Sequence, residues 1–64
     1  MQDVTILREK LKKTKKKMKL KNIDIALDMG VSESFVSDIL KARRNNVLDR
    51  LYFKLNNWLL SKSM

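Results

Sequence analysis

The chain contains no cysteine, no histidine and no proline, and Gly30 is its one glycine. Without cysteine it can form neither a disulfide nor a thiolate metal site. Without histidine it lacks the commonest general base and metal ligand. We therefore expect no enzyme, no small-molecule substrate, no metal and no other cofactor. Because glycine and proline are so scarce, long stretches are free to form helices.

Long apolar runs are also missing. No stretch approaches the roughly 20 residues that a membrane-spanning helix needs. The first residues, MQDVTILREK, do not have the basic-then-apolar order of a secretion signal. We therefore expect a cytoplasmic protein without a membrane partner. A length of 64 residues predicts one domain, residues 1–64, near the lower size limit for unaided folding.

The spacing of the apolar residues predicts an all-α fold. They recur at intervals of three and four and nowhere alternate with period two, so we expect helices and no strand. The predicted helices are Val4–Lys17, Asn22–Met29, Glu33–Ala42 and Val47–Ser61. Asp3 and Asn46 are suited to cap the first and the last helix. The domain thus has four helices, or five if Asn56 and Asn57 break the last one; one continuous helix is the preferred interpretation.

The second and third predicted helices form a helix-turn-helix motif. The segment Ala26–Leu40, ALDMGVSESFVSDIL, places two short helices on either side of a turn at Gly30. In this layout the second helix of the pair is held out towards the major groove of DNA. Ser32 is a good N-cap for that helix. Its polar side consists of Glu33, Ser34, Ser37, Asp38 and Lys41.

Acidic residues are few, and their distribution is uneven. Fifteen basic residues against seven acidic ones give a net charge of +8, which favours a polyanionic partner. Between Lys10 and Lys21 eight of twelve residues are lysine. Such a run is either a solvated helix face or a phosphate-contacting surface, and beside this motif we favour phosphate contact. From Asn22 to Leu40 there are four acids and no base, so binding strength must come from the flanks of the motif.

Several residues of the motif have a structural interpretation beside the functional one. Glu33 suits the positive start of a helix and Asp38 can pair with Lys41, but each carboxylate can also accept from a cytosine amino group. Phe35 is expected in the core or at a subunit contact rather than against a thymine methyl group. Lysines almost surround the first helix and its apolar stripe is thin, which disfavours binding to a membrane surface.

The segment from Met18 to Ile39, MKLKNIDIALDMGVSESFVSDI, resembles the Cro and repressor family of lambdoid phages, the Xre-type helix-turn-helix proteins. The likeness rests on an apolar pair before the second helix, an alanine, the turn glycine and three apolar positions: Met18, Leu20, Ala26, Gly30, Val31, Val36 and Ile39. It implies a sequence-specific transcriptional regulator, a Cro-like repressor that binds double-stranded DNA at a pseudo-palindromic operator as a homodimer.

The resemblance also implies roles for individual residues. By position, the base-reading residues are Ser32, Glu33, Ser34, Ser37 and Asp38. The residues that hold the phosphate backbone are Asn22, Lys41, Arg43 and Arg44. From the lysine run we add Lys15, Lys19 and Lys21, and Arg50 and Lys54 are further candidates. The chain departs from the family where Lys21 replaces a capping Thr or Ser, where Lys19 replaces a glycine, and in its short C-terminal part.

The last predicted helix carries more apolar residues than a core of this size can cover. Its core stripe consists of Leu48, Leu51, Leu55 and either Trp58 or Leu59. The final NNWLLSK also resembles the last helix of the family, which lies near the dimer contact. We therefore expect a homodimer interface made by Tyr52, Phe53, Trp58, Leu59 and Leu60. The alternative function is a protein-interaction module that keeps this fold and uses its acidic central face to bind a partner.

Overall fold

The computed structural model describes residues 1–62 and contains four helices and one pair of very short strands. The elements are β1 (Gln2–Asp3), α1 (Thr5–Met18), α2 (Asn22–Met29), α3 (Glu33–Leu40), β2 (Asn46–Val47) and α4 (Asp49–Lys62). The all-α prediction is confirmed, and α4 is continuous across Asn56 and Asn57. Within the described residues, none of the helices combines enough length and apolar character to cross a bilayer.

The expectation that the chain has no strand is wrong. β1 pairs with β2 in antiparallel register, with Gln2 opposite Val47 and Asp3 opposite Asn46. Strands of two residues are too short to show an alternating pattern, and the two strands are separated in the sequence by three helices. Asn46 therefore pairs within the sheet and does not cap α4, which begins at Asp49.

The starts of the first three helices are fixed by side-chain oxygens. Asp3 Oδ1 accepts from the Thr5 N–H at 2.8 Å, so Asp3 does stabilise the start of α1. Ser32 Oγ accepts from the Phe35 N–H at 3.1 Å, which confirms Ser32 as the N-cap of α3. At α2 the Asp24 carboxylate accepts from the Lys21 N–H at 3.0 Å. Asp24 thereby supplies half of a capping box where Lys21 has no acceptor of its own.

Three residues between the helices adopt left-handed backbone angles. Gly30 ends α2 with a φ of 73°, as its position in the motif predicts. Lys19 has a φ of 55° and Ala42 a φ of 59°, although side chains with a Cβ disfavour this region. Lys19 thus ends α1 in a backbone conformation that glycine adopts more readily than any other residue. Helix α3 ends at Leu40 rather than at Ala42 because the chain reverses there.

One apolar core joins the four helices and β2. Its buried residues are Val4, Leu7, Leu11, Ile25, Ala26, Met29, Phe35, Val36, Ile39, Val47, Leu55, Trp58 and Leu59. Leu51 packs against this core as predicted. Leu48 is instead 55% exposed, so the prediction that it belongs to the core stripe is wrong. It precedes the first residue of α4 and does not share the register of that helix.

Candidate nucleic-acid interface

The polar face of α3, defined here as Ser32, Glu33, Ser34, Ser37 and Asp38, is open to solvent. Its first three residues are exposed and its last two are partly exposed. The opposite side of α3 is buried in the core, as the amphipathic pattern predicts. Phe35 is only 7% exposed, which confirms the core interpretation for this residue. The base-reading residues that we expected therefore share one accessible surface.

Arg43 belongs to the same surface. Together with Glu33, Ser34, Ser37 and Asp38 it lines one shallow depression. The Arg43 N–H donates to the Asp38 carbonyl at 2.9 Å, which folds the chain back over the end of α3. In protein–DNA interfaces, side chains that contact phosphates position the protein, and polar side chains that reach base edges read the sequence.

Arg44 is held differently from Arg43. Its guanidinium lies 4.0 Å from the Asp38 carboxylate and its central carbon is 5.6 Å from the centre of the Phe35 ring. The ion-pair partner of Asp38 is therefore Arg44. It is not Lys41, the partner that helical spacing offered as the structural alternative to a base contact. The left-handed turn at Ala42 explains the difference, because it brings the chain back towards α3 while Lys41 stays exposed.

The lysine run of α1 reaches one edge of α3. A depression is lined by four lysines of α1 and its C-terminal end together with two leucines: Lys12, Lys15, Lys16, Lys19, Leu20 and Leu40. Leu40 is the last residue of α3. We call Lys12, Lys15, Lys16 and Lys19 the lysine flank. It contains Lys15 and Lys19, two of the predicted phosphate-binding residues, while Lys21 is exposed at the start of α2.

A second cationic group, Arg50 and Lys54 of α4, lies at the other edge of α3. Both residues line a depression shared with Ser32 and Phe35, and Lys54 Nζ is 3.5 Å from the Gly30 carbonyl oxygen. Phe35 and Leu40 are separated by about 140° around the helix, given 3.6 residues per turn. The lysine flank and the α4 pair therefore lie on both sides of the polar face. Sequence alone offered this pair only as further candidates, because its position depends on how α4 packs.

Arg8 was missed as a functional residue. It is 8% exposed, and its guanidinium donates to the Ile39 carbonyl at 2.6 Å, to the Arg44 carbonyl at 3.0 Å and to Asn45 Oδ1 at 2.9 Å. These bonds attach the end of α3 and the following turn to α1. Arg8 therefore positions the segment that carries Arg43. A sequence signal existed, since Arg8 occupies an inward position of the apolar stripe of α1, beside Leu7.

The four acids of the motif do not form a single acidic face. Asp24 caps α2, and Asp38 is paired with Arg44. The Asp28 carboxylate accepts from Trp58 Nε1 at 2.5 Å and lies 3.1 Å from Lys62 Nζ. These two contacts, the indole hydrogen bond first, lower the pKa of Asp28 below its ordinary value. In residues 1–62 only Glu33 of the four has a carboxylate without a hydrogen-bond or ion-pair partner.

Asn22, a predicted phosphate contact, lies at the start of α2. Asn22 is partly buried, and its Oδ1 is buried without a hydrogen-bond partner among the described residues. A phosphate oxygen only accepts, so a phosphate contact would use the Asn22 amide N–H.

Of the predicted dimer residues, Trp58 and Leu59 are covered within one chain, and Tyr52 is partly buried. Phe53 and Leu60, each 55% exposed, are the two predicted dimer residues that present a large apolar surface.

No group of three or more acidic residues in the described part of the chain is placed to hold a metal ion. Comparison of the chain with protein-family models, with curated proteins and with solved structures finds no match.

Proposed function

We propose that this chain is a sequence-specific regulator that binds double-stranded DNA, with α3 in the major groove. The observation that carries the proposal is the exposed polar face of α3 between the lysine flank and the pair of Arg50 and Lys54. Such a surface can meet base edges at its centre and phosphates at its two sides. The protein would act as a Cro-like repressor in the cytoplasm, at the nucleoid, by occupying an operator.

Within this proposal, the polar face supplies discrimination and the flanks supply affinity. Ser34 and Ser37 offer hydroxyl groups that donate or accept, and Glu33 can accept from the amino group of cytosine. A carboxylate close to the phosphate backbone is repelled unless a donor lies opposite it, so a wrong base is penalised. Arg43 and the lysine flank neutralise phosphates without regard to sequence.

The deciding experiment is selection of bound sites from a pool of random DNA duplexes at two salt concentrations. We expect a palindromic consensus whose enrichment persists at the higher salt, together with an affinity that falls as salt rises. The matched control is the Ser34→Ala, Ser37→Ala double variant, which keeps the net charge and should select a different or weaker consensus. Absence of any consensus, or DNA binding that ignores salt, would contradict the proposal.

A homodimer is part of the proposal, because a palindromic operator needs a two-fold protein. The exposed apolar residues Phe53 and Leu60 of α4 support it, and the Phe53 ring also stacks edge-on against Tyr52 with centroids 5.8 Å apart. Sedimentation over a wide concentration range, with and without selected operator, should show a dimer that Phe53→Ser weakens. A strict monomer in the presence of operator would rule out the dimer.

The alternative, a protein-interaction module that uses an acidic central face, has less support. Asp24, Asp28 and Asp38 lie in three separate settings and each has a partner of its own. Glu33 alone remains to form an acidic contact. Stoichiometric capture of one basic protein by the chain, combined with no protection of selected DNA, would favour this alternative.

A further inference from the structure

A groove between α1 and α4 lies outside the proposed DNA interface. It encloses about 340 Å³, at the small end of the range typical of binding sites. Its apolar lining comes from Leu59, which is buried, from Met18, which is 43% exposed, and from Leu60, which is 55% exposed. The groove therefore adjoins the proposed dimer contact at Leu60. Lys10, Lys13 and Lys17 line the α1 side of the same groove. No residue of α2 or α3 takes part in it.

These three lysines are a different set from the lysine flank. Lys10, Lys13 and Lys17 fall within about 60° of one another around α1, because their spacings are three, four and seven residues. The lysine flank lies on the other side of that helix, next to Leu40. A DNA duplex bound to α3 meets the lysine flank, so the groove lysines are left without a role in that contact.

The positive charge of the groove is not compensated within the described chain. Lys62, at the α4 side, is neutralised by Asp28, since its Nζ lies 3.1 Å from the carboxylate. Lys10, Lys13 and Lys17 form no ion pair in residues 1–62, and no acidic side chain lines the groove. An apolar floor with a positive rim complements a ligand that is apolar on one side and acidic on the other.

We propose that this groove binds an acidic amphipathic segment of a partner protein. One or two large apolar side chains of the segment would enter the groove over Leu59, and its Asp or Glu residues would face Lys10, Lys13 and Lys17. Charge complementarity selects this occupant over a second copy of the chain. A symmetric contact between two such grooves would bring like-charged lysine sets together, which is unfavourable at an interface.

The test uses a fluorescein-labelled synthetic peptide of about 15 residues, with Leu, Phe and Trp at i, i+3, i+4 and i+7 and Glu or Asp elsewhere. The control peptide carries Gln and Asn in place of the acids. Binding is measured by anisotropy with the full chain, and the site is mapped from backbone amide shifts. We expect the acidic peptide to bind, with amide shifts in α1 and α4 but not in α3. The affinity of the control peptide should be lower by a factor of about ten or more.

Two charge-matched variants separate this site from the DNA interface. Lys13→Glu with Lys17→Glu should weaken the acidic peptide about tenfold and leave affinity for selected DNA nearly unchanged. Lys12→Glu with Lys16→Glu should weaken binding to selected DNA and leave affinity for the acidic peptide nearly unchanged. Circular dichroism verifies that both variants remain helical. Because the two readouts are separate, failure of DNA binding alone leaves this proposal standing.

Other outcomes would overturn it. Equal binding of the neutral peptide would remove the charge argument. Equal loss of DNA affinity in both variants would assign the groove to nucleic acid. Dimerisation that is altered by Lys13→Glu with Lys17→Glu, measured by sedimentation, would assign it to a second copy. Binding to vesicles of anionic lipid that the acidic peptide fails to compete away would assign it to a membrane surface.

Discussion

At the scale of single residues, Arg8 connects the core to the candidate site. Its guanidinium supplies donors to two backbone carbonyls and to Asn45, and no side chain without several donors can replace all of these bonds. In Arg8→Met the apolar stem remains but buried acceptors lose their partners, so we expect the free energy of unfolding to fall by about 3 kcal/mol. Urea unfolding followed by circular dichroism measures this. Lys12→Met, which removes an exposed cation from the same helix, should change stability by less than about 0.5 kcal/mol.

Ala42 and Gly30 allow the same chemical change to be tested in both directions. Both residues have left-handed backbone angles, which cost a residue with a Cβ about 1–2 kcal/mol. Ala42→Gly relieves that cost at the expense of about 0.5–1 kcal/mol of chain entropy, so we expect a net gain in stability. Gly30→Ala should destabilise, and by backbone strain alone, since an added Cβ would meet only Lys54 Nζ at 3.6 Å. Thermal unfolding of the two variants should shift in opposite directions; a shift of the same sign would contradict the interpretation.

Asp28 gives the fold a dependence on pH. The hydrogen bond from Trp58, and then the contact with Lys62, lower its pKa from the ordinary value of 3.8. The folded carboxyl therefore binds a proton less readily than the unfolded one. Its contribution to stability is complete above about pH 3.8 and is lost as pH falls through the folded pKa. As pH is lowered below 3.8, the stability of Asp28→Asn should fall less than that of Glu9→Gln, which removes an exposed carboxylate of α1.

At the scale of elements, the sequence predicts the helices well where the signals are local. The bounds of α2 agree with the prediction at both ends, because Gly30 and the apolar residues before it lie within one short segment. The β1–β2 pairing, the hydrogen-bond partners of Arg8 and the position of Arg50 all depend on contacts between distant parts of the chain. No local pattern encodes those contacts, so the structure was needed to assign the bonds of Arg8 and to place Arg50 and Lys54 beside α3.

Helix α3 and the turn that follows it should contribute to DNA binding in different ways. Ser37 lies on the polar face, so Ser37→Ala should change preference at one or two base pairs by about 1–3 kcal/mol. Arg43→Ala should weaken all DNA sequences alike, because a phosphate contact carries no sequence information. Competition binding against single-base variants of a selected site distinguishes the two effects. Arg44 is a poorer choice for this comparison, since its contacts with Asp38 and Phe35 also hold the fold together. Uniform weakening by Ser37→Ala would contradict base reading.

At the scale of the whole molecule, the arrangement of charge matters more than its total. If only the net charge of +8 mattered, the chain would attract any polyanion, and removing any two cations would weaken binding equally. The structure instead divides the basic residues into the two groups beside α3 and the groove between α1 and α4. Removing two cations from one region should therefore differ from removing two cations from another.

The salt dependence of DNA binding tests this division. Each neutralised phosphate adds about 0.9 to the slope of log affinity against log salt. Arg50→Ala with Lys54→Ala should reduce that slope by about 1.8 if both cations contact phosphates. Lys10→Ala with Lys13→Ala lowers the net charge equally but changes only the groove, and the slope should stay the same. If both pairs reduce the slope to the same extent, DNA binding depends only on the overall charge of the molecule, and the duplex does not dock specifically along α3. A reduction confined to the α4 pair means that the duplex lies along α3 with that pair at its edge.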